Sequence, residues 1–256
     1  MKRIRVIPVL LLQNGDLVKT KQFRNPVYIG DPINAVRIFN EKRVDELVLL
    51  DISAKPGGLS RDYQRMAEIA GEAFMPLAFG GGLSSLQEIE TTLKLGMEKV
   101  VLNSTAVSNL SLITQVARRF GSQSVVVSID ARKRFGGSYK VFVRGGRKAT
   151  TLDPVAHARH CADAGAGEIL ITSIAREGTF EGYDVKLTRN VADAVPLPVI
   201  ACGGAAKVED FAMAVTEGGA SAVAASSMFV FQGTHRAVLI SFPDAAVLSA
   251  GLYNFA

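Results

Sequence analysis

Eight short apolar runs alternate along the chain with segments of helical period. The runs are rich in valine, isoleucine and leucine, and most of them lack the alternation with polar residues that marks a strand with one solvated face. Such runs are typical of strands that are buried on both faces of a parallel sheet. The predicted strands cover residues 4–11, 47–52, 77–79, 100–102, 125–129, 169–171, 199–201 and 222–225.

Helix start signals stand between these runs. Asp31-Pro32 and Asp153-Pro154 each place a capping carboxylate before a proline at the first helical position, and Ser85-Leu86-Gln87-Glu88 indicates a capping box. Eight consecutive strand-then-helix units predict an α/β fold, a closed (β/α)8 TIM barrel rather than an open doubly wound sheet. The 256 residues match the roughly 250 that such a barrel uses, which predicts one domain over residues 1–256.

An internal repeat supports the closed barrel. A shift of the chain by 122 residues superposes acidic, glycine and hydroxyl positions of its two halves: Glu46 on Glu168, Gly81-Gly82 on Gly203-Gly204, and Ser104 on Ser226. A period near half the chain length indicates two similar half-barrels of four units each. Neither half could close its own sheet edges, so the repeat argues against two independent domains.

Two connections are longer than ordinary loops between a strand and its helix. One covers residues 13–30 and contains Lys19, and the other covers residues 131–150, where Tyr139–Val143 predicts one arm of a small hairpin. Long loops at the carboxyl ends of barrel strands commonly carry substrate contacts. The apolar tail after Phe229 is expected to continue into a last helix that packs on the barrel.

Glycine pairs and hydroxyl residues recur at the ends of four predicted strands. Glycines let backbone N–H groups approach an oxyanion, and hydroxyls and helix N-termini add donors. Tight turns between strand and helix also favour glycine, but two repeated sets predict two phosphate sites for an elongated ligand. The first set is Gly81, Gly82, Asn103 and Ser104, and the second is Gly203, Gly204, Ser226 and Ser227.

Two carboxylates end predicted strands, Asp51 on the second and Asp130 on the fifth. Asp130 places a charge where an apolar strand reaches the barrel mouth, which favours a general acid or base over a helix cap or a loop hydrogen bond. A reaction that moves two protons would need a second acid opposite, at the end of the first strand. Leu11 lies there instead.

Charged residues also begin four predicted strands, at the opposite end of the barrel. They are Arg5, Glu46, Lys99 and Glu168, and their charges sum to zero. A solvated rim is the ordinary explanation of polar strand starts. The four charges could instead meet as a salt-bridged ring that closes the barrel floor, and a ring that can open would be a gate for a small neutral molecule.

Charge and cysteine content narrow the function classes. The 29 basic and 24 acidic residues give a net charge of +5, and scattered basic positions argue against nucleic acid as a partner. No apolar run reaches the roughly 18 residues that cross a bilayer, so no membrane partner is expected. Two cysteines are too few for a disulfide framework, and a cytoplasmic location is expected.

His157, His160 and Cys161 have the spacing of one helix face and could in principle hold zinc. No fourth ligand is in view, so a surface or packing role is favoured and no metal is expected. Cys202 ends the seventh predicted strand without a histidine placed beside it by the sequence. It is expected to be a small apolar filler rather than a nucleophile.

Segments spread along nearly the whole chain resemble one protein family. The chain resembles the cyclase subunit of imidazole glycerol phosphate synthase at Phe79-Gly80-Gly81-Gly82, at residues 99–103, at Phe120-Gly121-Ser122-Gln123, at Ile129-Asp130-Ala131, and at residues 165–170 and 182–184. The related phosphoribosyl isomerases share the glycine sites but match the other segments less well.

The resemblance implies a barrel that pairs with a HisH-like glutaminase subunit as a heterodimer and uses no cofactor. In that family, ammonia enters through a charged gate at the barrel floor and travels inside to a bisphosphorylated ribonucleotide at the mouth. By matching position, the gate is Arg5, Glu46, Lys99 and Glu168. Phosphate contacts fall on Gly82, Asn103 and Ser104, and on Gly204 with Ser226 or Ser227, and Lys19 matches a substrate-contacting lysine of the catalytic site.

This chain departs from the family's sequence pattern at positions that bear on the cyclase reaction. The family's cyclase uses two aspartates, of which Asp130 matches one, while Leu11 occupies the place of the other. Thr20 replaces a glycine after the loop lysine, and Ala175 replaces the first residue of the family's Asp-Arg-Asp-Gly-Thr stretch. Leucine cannot move a proton, so cyclase turnover is expected to fall by orders of magnitude.

Two functions follow as hypotheses. In the first, the chain resembles a divergent branch of cyclase-subunit paralogues that work with a glutaminase and a sugar amidotransferase in surface-polysaccharide (lipopolysaccharide O-antigen) synthesis, where ammonia converts an N-acetyl group to an acetamidino group. In the second, it resembles the working cyclase of histidine biosynthesis. That enzyme converts a bisphosphorylated ribulosyl formimino carboxamide ribonucleotide and ammonia to imidazole glycerol phosphate and aminoimidazole carboxamide ribonucleotide.

Overall fold

The computed structural model describes residues 4–53, 62–233 and 235–254. Its strands are β1 (Arg5–Gln13), β2 (Asp16–Lys21), β3 (Arg24–Gly30), β4 (Leu47–Asp51), β5 (Leu77–Gly80), β6 (Lys99–Leu102), β7 (Val125–Lys133), β8 (Tyr139–Val143), β9 (Lys148–Ala149), β10 (Glu168–Ser173), β11 (Val199–Cys202), β12 (Ala222–Ala225), β13 (Phe231–Gln232) and β14 (Ala237–Val238). Its α-helices are α1 (Pro32–Glu41), α2 (Tyr63–Glu72), α3 (Leu86–Lys94), α4 (Ser104–Ser108), α5 (Leu110–Phe120), α6 (Pro154–Asp163), α7 (Val185–Ala192), α8 (Val208–Thr216) and α9 (Ala245–Leu248). Short 3-10 turns cover Ser122–Ser124 and Ser227–Phe229, and a π-helical turn covers Ser249–Tyr253.

Eight parallel strands close into a barrel within these ranges. Their order is β1, β4, β5, β6, β7, β10, β11 and β12, and β12 pairs again with β1. At that closure Arg5 lies beside Ala222, and on the other side of the barrel Thr172 of β10 lies beside Asp130 of β7. The predicted α/β TIM barrel is therefore confirmed, and each predicted strand overlaps one of these eight.

Two of the barrel strands extend past the mouth as antiparallel hairpins. β2 pairs with the end of β1, with Val18 opposite Leu11, and β3 pairs with β2. β8 pairs with the end of β7, with Phe142 opposite Asp130. The hairpin arm predicted at Tyr139–Val143 is confirmed, and the first long connection proves to be a hairpin as well. We call this first one, β2–β3, the lid hairpin.

The predicted helix starts are confirmed by their capping hydrogen bonds. The Asp31 carboxylate accepts from the Asn34 backbone N–H at 3.0 Å, and the Asp153 carboxylate accepts from the Val155 N–H at 2.9 Å. Ser85 and Glu88 form the reciprocal capping box at the start of α3. Each cap satisfies backbone donors that have no partner inside the helix.

The barrel strands bury both faces because helices cover the outside and side chains fill the inside. Along β1, Val6 and Leu10 face the helices, whereas Ile7 and Val9 face the barrel interior, as the two-residue strand period requires. The interior cluster is apolar: Ile7, Val9, Val48, Ala78, Val101, Val126, Leu170, Ile200, Cys202, Ala222 and Ala224, with Leu11 and Leu50 packed against it.

The tail after Phe229 differs from the prediction of a direct run into the last helix. The short hairpin β13–β14 comes first, and α9 begins only at Ala245. Gly233 and Arg236 both have positive φ angles, at +69° and +51°, which turn the chain back on itself. Among the described residues, no helix is both long and apolar enough to cross a bilayer.

Candidate functional site

The floor of the barrel carries a closed ring of four charged side chains. Arg5, Lys99 and Glu168 each begin a barrel strand, and Glu46 directly precedes β4. The Arg5 guanidinium pairs with Glu46 and lies 2.9 Å from Glu168, while the Lys99 ammonium lies 2.9 Å from Glu46 and 3.3 Å from Glu168. Each charge therefore contacts two charges of the opposite sign, and the ring is neutral.

This ring separates solvent from the apolar interior. The Glu46 side chain is 3% exposed, and the Arg5 side chain, the most exposed member, is 27% exposed. Directly above it lie the inward side chains Ile7, Val48, Val101 and Leu170. The structure thus brings together all four residues that the sequence predicts at the floor, beneath an interior filled by apolar side chains.

At the mouth, the backbone geometry requires glycine at both positions of the first glycine pair. A Cβ on Gly81 would lie 2.4 Å from the Asp51 carbonyl oxygen, and Gly82 has a φ of +59°. Ser104 begins α4, and its hydroxyl accepts from the Arg144 backbone N–H at 3.0 Å. Gly82 and Ser104 follow neighbouring strands, so the structure places this predicted phosphate set together at one side of the mouth.

Asn103, the fourth member of this set, turns toward Asp130. Its side-chain amide donates to the Ser128 carbonyl at 2.9 Å and to the Asp130 carboxylate at 3.1 Å. The residue predicted as a phosphate ligand is therefore also the support of the predicted acid or base.

The backbone geometry likewise requires glycine at both positions of the second glycine pair. A Cβ on Gly204 would lie 2.1 Å from the Gly182 carbonyl oxygen, and both Gly203 and Gly204 have positive φ angles. Ser227 begins the 3-10 turn after β12. Ser226, however, is buried and points inward, where its hydroxyl lies 3.0 Å from the Val9 carbonyl.

Asp130 stands at the mouth with little access to water. It is 8% exposed, and Asn103 and Ser128 both hydrogen-bond its carboxylate. Burial, helped by the negative charge of Glu177, raises the pKa of Asp130 to about 7 although those hydrogen bonds oppose the shift. A carboxyl with such a pKa can both accept and donate a proton near neutrality.

Lys19 reaches into the mouth from the lid hairpin. It is 1% exposed, its ammonium donates to the Val9 carbonyl at 2.6 Å, and it also contacts the Ser226 hydroxyl. Burial lowers the pKa of Lys19 to about 8, against the charge of Glu177, which favours the ammonium form. The lysine that the sequence places on a loop is thus an interior residue in this closed arrangement.

Glu177 is a member of this cluster that the sequence reasoning missed. It lies in the loop after β10 and is 6% exposed, and a Cβ on Gly203 would lie 3.5 Å from its carboxylate. Burial raises the pKa of Glu177, and the positive charge of Lys19 opposes that shift. The sequence feature that could have identified Glu177 is an acidic residue between a barrel strand and Gly178. In that loop, only Ala175 was considered as a departure from the family.

Leu11 lies at the mouth as predicted, partly buried against the interior cluster. Thr20, beside Lys19 in the lid hairpin, has a buried hydroxyl without a hydrogen-bond partner among the described residues. Burial raises the pKa of Cys202 well above its usual value, which suits an inert filler rather than a thiolate nucleophile.

Two members of the predicted histidine-cysteine set, His157 and Cys161, are buried side chains of α6. His157 is 2% exposed with its ring 3.7 Å from the Cys161 sulfur, whereas His160 is exposed. Burial lowers the pKa of His157 to about 4, so the ring is neutral near pH 7. In the described ranges, no group of three or more histidine, cysteine or acidic side chains is arranged to hold a metal ion.

Comparison with known proteins gives consistent matches over nearly the whole chain. The model of the histidine biosynthesis protein family matches residues 5–235. A Pseudomonas aeruginosa protein provisionally named imidazole glycerol phosphate synthase subunit hisF2 is 51% identical over 251 residues, which cover 98% of this chain and 100% of the relative. A Vibrio vulnificus protein with the provisional name subunit hisF3 is 43% identical, covering 95% of this chain and 94% of the relative. The imidazole glycerol phosphate synthase subunit HisF of Hyphomonas neptunium is 46% identical, covering 90% and 91%.

Proposed function

The chain belongs to the histidine biosynthesis protein family, as a HisF-type cyclase subunit of imidazole glycerol phosphate synthase, and from this premise we propose that it receives ammonia through the barrel floor and delivers it to the mouth. The observation that carries the proposal is the neutral salt-bridged ring beneath an apolar interior. Ammonia is small and neutral, and an interior lined by alanine and branched aliphatic residues accepts it while disfavouring ammonium and other ions.

A HisH-like glutaminase is the proposed source of that ammonia, as the second subunit of a heterodimer. The relatives' names describe them as subunits of a synthase. Phe74, in the loop between α2 and β5, is 89% exposed at the same end of the barrel as the ring. An exposed aromatic side chain beside the entrance is a suitable contact for a partner docked over the floor.

The test pairs Phe74→Ser with Phe135→Ser, which removes an equally exposed phenylalanine at the tip of the β7–β8 hairpin, at the mouth end. A HisH-like glutaminase from the same organism is titrated with each variant, and glutamine hydrolysis is followed. The unaltered chain should stimulate hydrolysis, Phe74→Ser should need about tenfold more protein for half-maximal stimulation, and Phe135→Ser should match the unaltered chain. No stimulation by the unaltered chain would refute the proposal.

The acceptor of the ammonia forms a finer part of the proposal. Leu11 places hydrocarbon where a second acid would complete the cyclase site, and this favours delivery of ammonia to another reaction. We propose amidination of a sugar in surface-polysaccharide synthesis, carried out with a separate sugar amidotransferase. Absence of any ammonia-dependent turnover of the bisphosphorylated formimino ribonucleotide by the purified chain would support this role.

The second candidate is the cyclase reaction itself, with imidazole glycerol phosphate and aminoimidazole carboxamide ribonucleotide as products. It is favoured by the burial of three ionisable side chains at the mouth end, Lys19, Asp130 and Glu177, since Asp130 is then not the sole buried acid there. Measurable turnover of the formimino ribonucleotide with ammonium salt would select this candidate over sugar amidination.

A further inference from the structure

The hairpin that extends from β7 holds an uneven share of the chain's charge. Residues 131–150 contain seven basic residues and no acidic one: Arg132, Lys133, Arg134, Lys140, Arg144, Arg147 and Lys148. These are seven of the chain's 29 basic residues, which leaves 22 basic against 24 acidic residues in the rest of the chain. The basic positions are therefore less scattered than expected, and the net positive charge comes from this one segment, which we call the basic hairpin.

The charges of the basic hairpin are not neutralised within the fold. Five of the seven side chains are exposed: Lys133, Arg134, Arg144, Arg147 and Lys148. Among the described residues, none of the seven forms an ion pair with an acid. Lys140 donates to the Thr151 carbonyl at 2.9 Å instead, and the Arg132 guanidinium lies over the Phe142 ring, 5.0 Å from its centre.

The strand register also places like charges side by side. Arg132 lies directly opposite Lys140 in the antiparallel pair of β7 and β8. Like charges at directly opposed positions destabilise a sheet, and here no carboxylate of the described residues offsets the repulsion. An anionic surface bound to the basic hairpin would relieve it.

A phenylalanine stands at the tip of the basic hairpin, within an ordered turn. The Gly137 backbone N–H donates to the Arg134 carbonyl at 3.0 Å, and the Arg134 N–H donates to the Ser138 carbonyl at 2.8 Å. Gly136 and Gly137 have φ angles of +91° and +87°, which this tight turn requires. The turn holds the Phe135 side chain fully in solvent, at 108% exposure. An aromatic ring among arginines and lysines has the composition of a protein contact surface.

The basic hairpin lies at the mouth, at the other end of the barrel from the floor ring. Phe142 of β8 lies opposite Asp130, so the hairpin starts at the level of that carboxylate. Its second turn contacts the lid hairpin, because a Cβ on Gly146 would lie 2.8 Å from the Phe23 ring. Lys133 is three residues beyond Asp130 on β7, about 10 Å further out at the rise of a strand. A partner docked on the tip would therefore cover the mouth.

The charges are spread too widely for one small anion. Lys133 pairs with Tyr139 and Lys148 pairs with Val143, so the two lysines lie beside opposite ends of β8. That strand covers five residues, which is about 13 Å from end to end. A single phosphate cannot contact both ends, whereas a protein surface with several acids can. An anionic membrane also offers spread charge, but one phenylalanine gives it little apolar anchorage and it supplies no acceptor for ammonia.

We propose that the basic hairpin is the docking surface for the enzyme that accepts the ammonia, which would contribute an acidic surface and an apolar pocket for Phe135. This inference deepens the proposed delivery of ammonia to a separate sugar amidotransferase and rests on it. A partner docked over the mouth receives ammonia without its passage through bulk water, where protonation to ammonium would remove its nucleophilic lone pair.

The experiment measures the affinity of the purified chain for a purified sugar amidotransferase from the same organism, by fluorescence anisotropy. Raising NaCl from about 50 to about 300 mM should weaken binding of the unaltered chain at least about fivefold, because salt screens exposed charges. Lys133→Glu should weaken binding at the lower salt by at least about fivefold and reduce the salt dependence. Lys186→Glu, which reverses an exposed lysine of α7 at the same end of the barrel, is the matched control and should bind like the unaltered chain.

A second variant tests the apolar part of the contact. Phe135→Ser should weaken binding at least about tenfold, with the salt dependence unchanged, because it removes an aromatic anchor and no charge. Met213→Ser, which removes an exposed apolar side chain from α8, should bind the amidotransferase like the unaltered chain. Both Lys133 and Phe135 are exposed, so their variants should keep the Tm of the unaltered chain.

Equal affinities of the unaltered chain, Lys133→Glu and Phe135→Ser would overturn the inference and leave delivery to the amidotransferase standing. Absence of binding by the unaltered chain would overturn both, while receipt of ammonia is scored separately by glutamine hydrolysis.

Two further probes test other occupants of the basic hairpin: inorganic pyrophosphate, and vesicles of phosphatidylethanolamine and phosphatidylglycerol in equal parts. If Lys133→Glu weakened binding of either probe and left binding of the amidotransferase unchanged, the hairpin would be a small-anion or membrane site, and the inference would be wrong.

Discussion

At the scale of single residues, the mouth is set by three buried groups whose charges depend on one another. Asp130 and Glu177 are both shielded from water, and Lys19 is buried between the lid hairpin and β12. Burial raises the pKa of both acids and lowers that of the lysine, so each group resists its charged form. The site holds ionisable groups at a cost in folding stability.

This cost gives a pH-dependent prediction for Asp130. Its pKa is near 3.8 ordinarily and about 7 in the folded chain, so between these values the folded chain holds a proton that the unfolded chain releases. The stabilisation from that proton is present below about pH 4 and is lost as pH rises through 7. Asp130→Asn should therefore increase the free energy of unfolding at pH 8 by roughly 2 kcal/mol more than at pH 5.

Urea denaturation at the two pH values measures this difference. Asp193→Asn, which removes an exposed carboxylate on the C-cap of α7, should change by less than about 0.5 kcal/mol between them. A gain for Asp130→Asn that is equal at pH 5 and pH 8 would contradict a raised pKa as its source.

At the scale of elements, the lid hairpin and the loop after β10 form one closed unit over the mouth. The Gln22 side chain donates to the Ala175 carbonyl at 2.8 Å, in addition to the backbone bond to Glu177. Gly178 permits this contact, because a Cβ there would lie 2.7 Å from the Thr20 carbonyl oxygen. Burial of Lys19 follows from this docking, so closure and the charge state of the mouth are linked.

Gly178→Ala should therefore loosen the lid hairpin. The added methyl group displaces the hairpin, and amide hydrogen exchange in residues 16–30 should become about tenfold faster, corresponding to roughly 1.4 kcal/mol of lost docking energy. Gly15→Ala provides the control, because Gly15 also has a positive φ but has no atom within 4 Å of its Cβ position. Equal exchange rates in the two variants would show that backbone strain, and not contact with the loop, controls the hairpin.

At the scale of the whole molecule, the barrel has two chemically different ends joined by an apolar interior. The floor holds a neutral ring of charges drawn from four strands, and the mouth holds the glycine pairs and the buried acids. Loops that lead from a helix into the next strand lie at the floor, and loops that lead from a strand into the next helix lie at the mouth. Under the proposed function, ammonia would enter at the floor and react at the mouth, at the two ends of one axis.

Glu46→Gln tests how far the floor ring contributes to stability. The change leaves Arg5 and Lys99 with Glu168 as the remaining anion of the ring, and the free energy of unfolding should fall by roughly 2 kcal/mol. Glu72→Gln removes an acid from the exposed pair with Arg37 and should leave the free energy of unfolding almost unchanged, because solvent screens that pair. Chemical denaturation of both variants gives the comparison, and a similar small loss in each would indicate that solvent screens the ring.

Much of this architecture follows from local sequence features. The strand runs, the capping residues at Asp31, Ser85 and Asp153, and the glycine pairs were all predicted because period, caps and turns depend on neighbouring residues. The four floor charges were placed as well, since strand starts in a barrel necessarily share one end. The tail hairpin was missed, because apolar composition alone does not distinguish a short strand pair from a helix.

The sequence by itself determined the barrel, its two ends and the identities of Leu11 and Asp130 at the mouth. Only the tertiary structure decided that Lys19 turns inward to Ser226, that Glu177 is buried, and that Asn103 supports Asp130. The physical reason is that these contacts join residues far apart in the chain, through loops without a repeating pattern. Their charges, in turn, depend on burial, which exists only once the barrel has closed and the lid hairpin covers it.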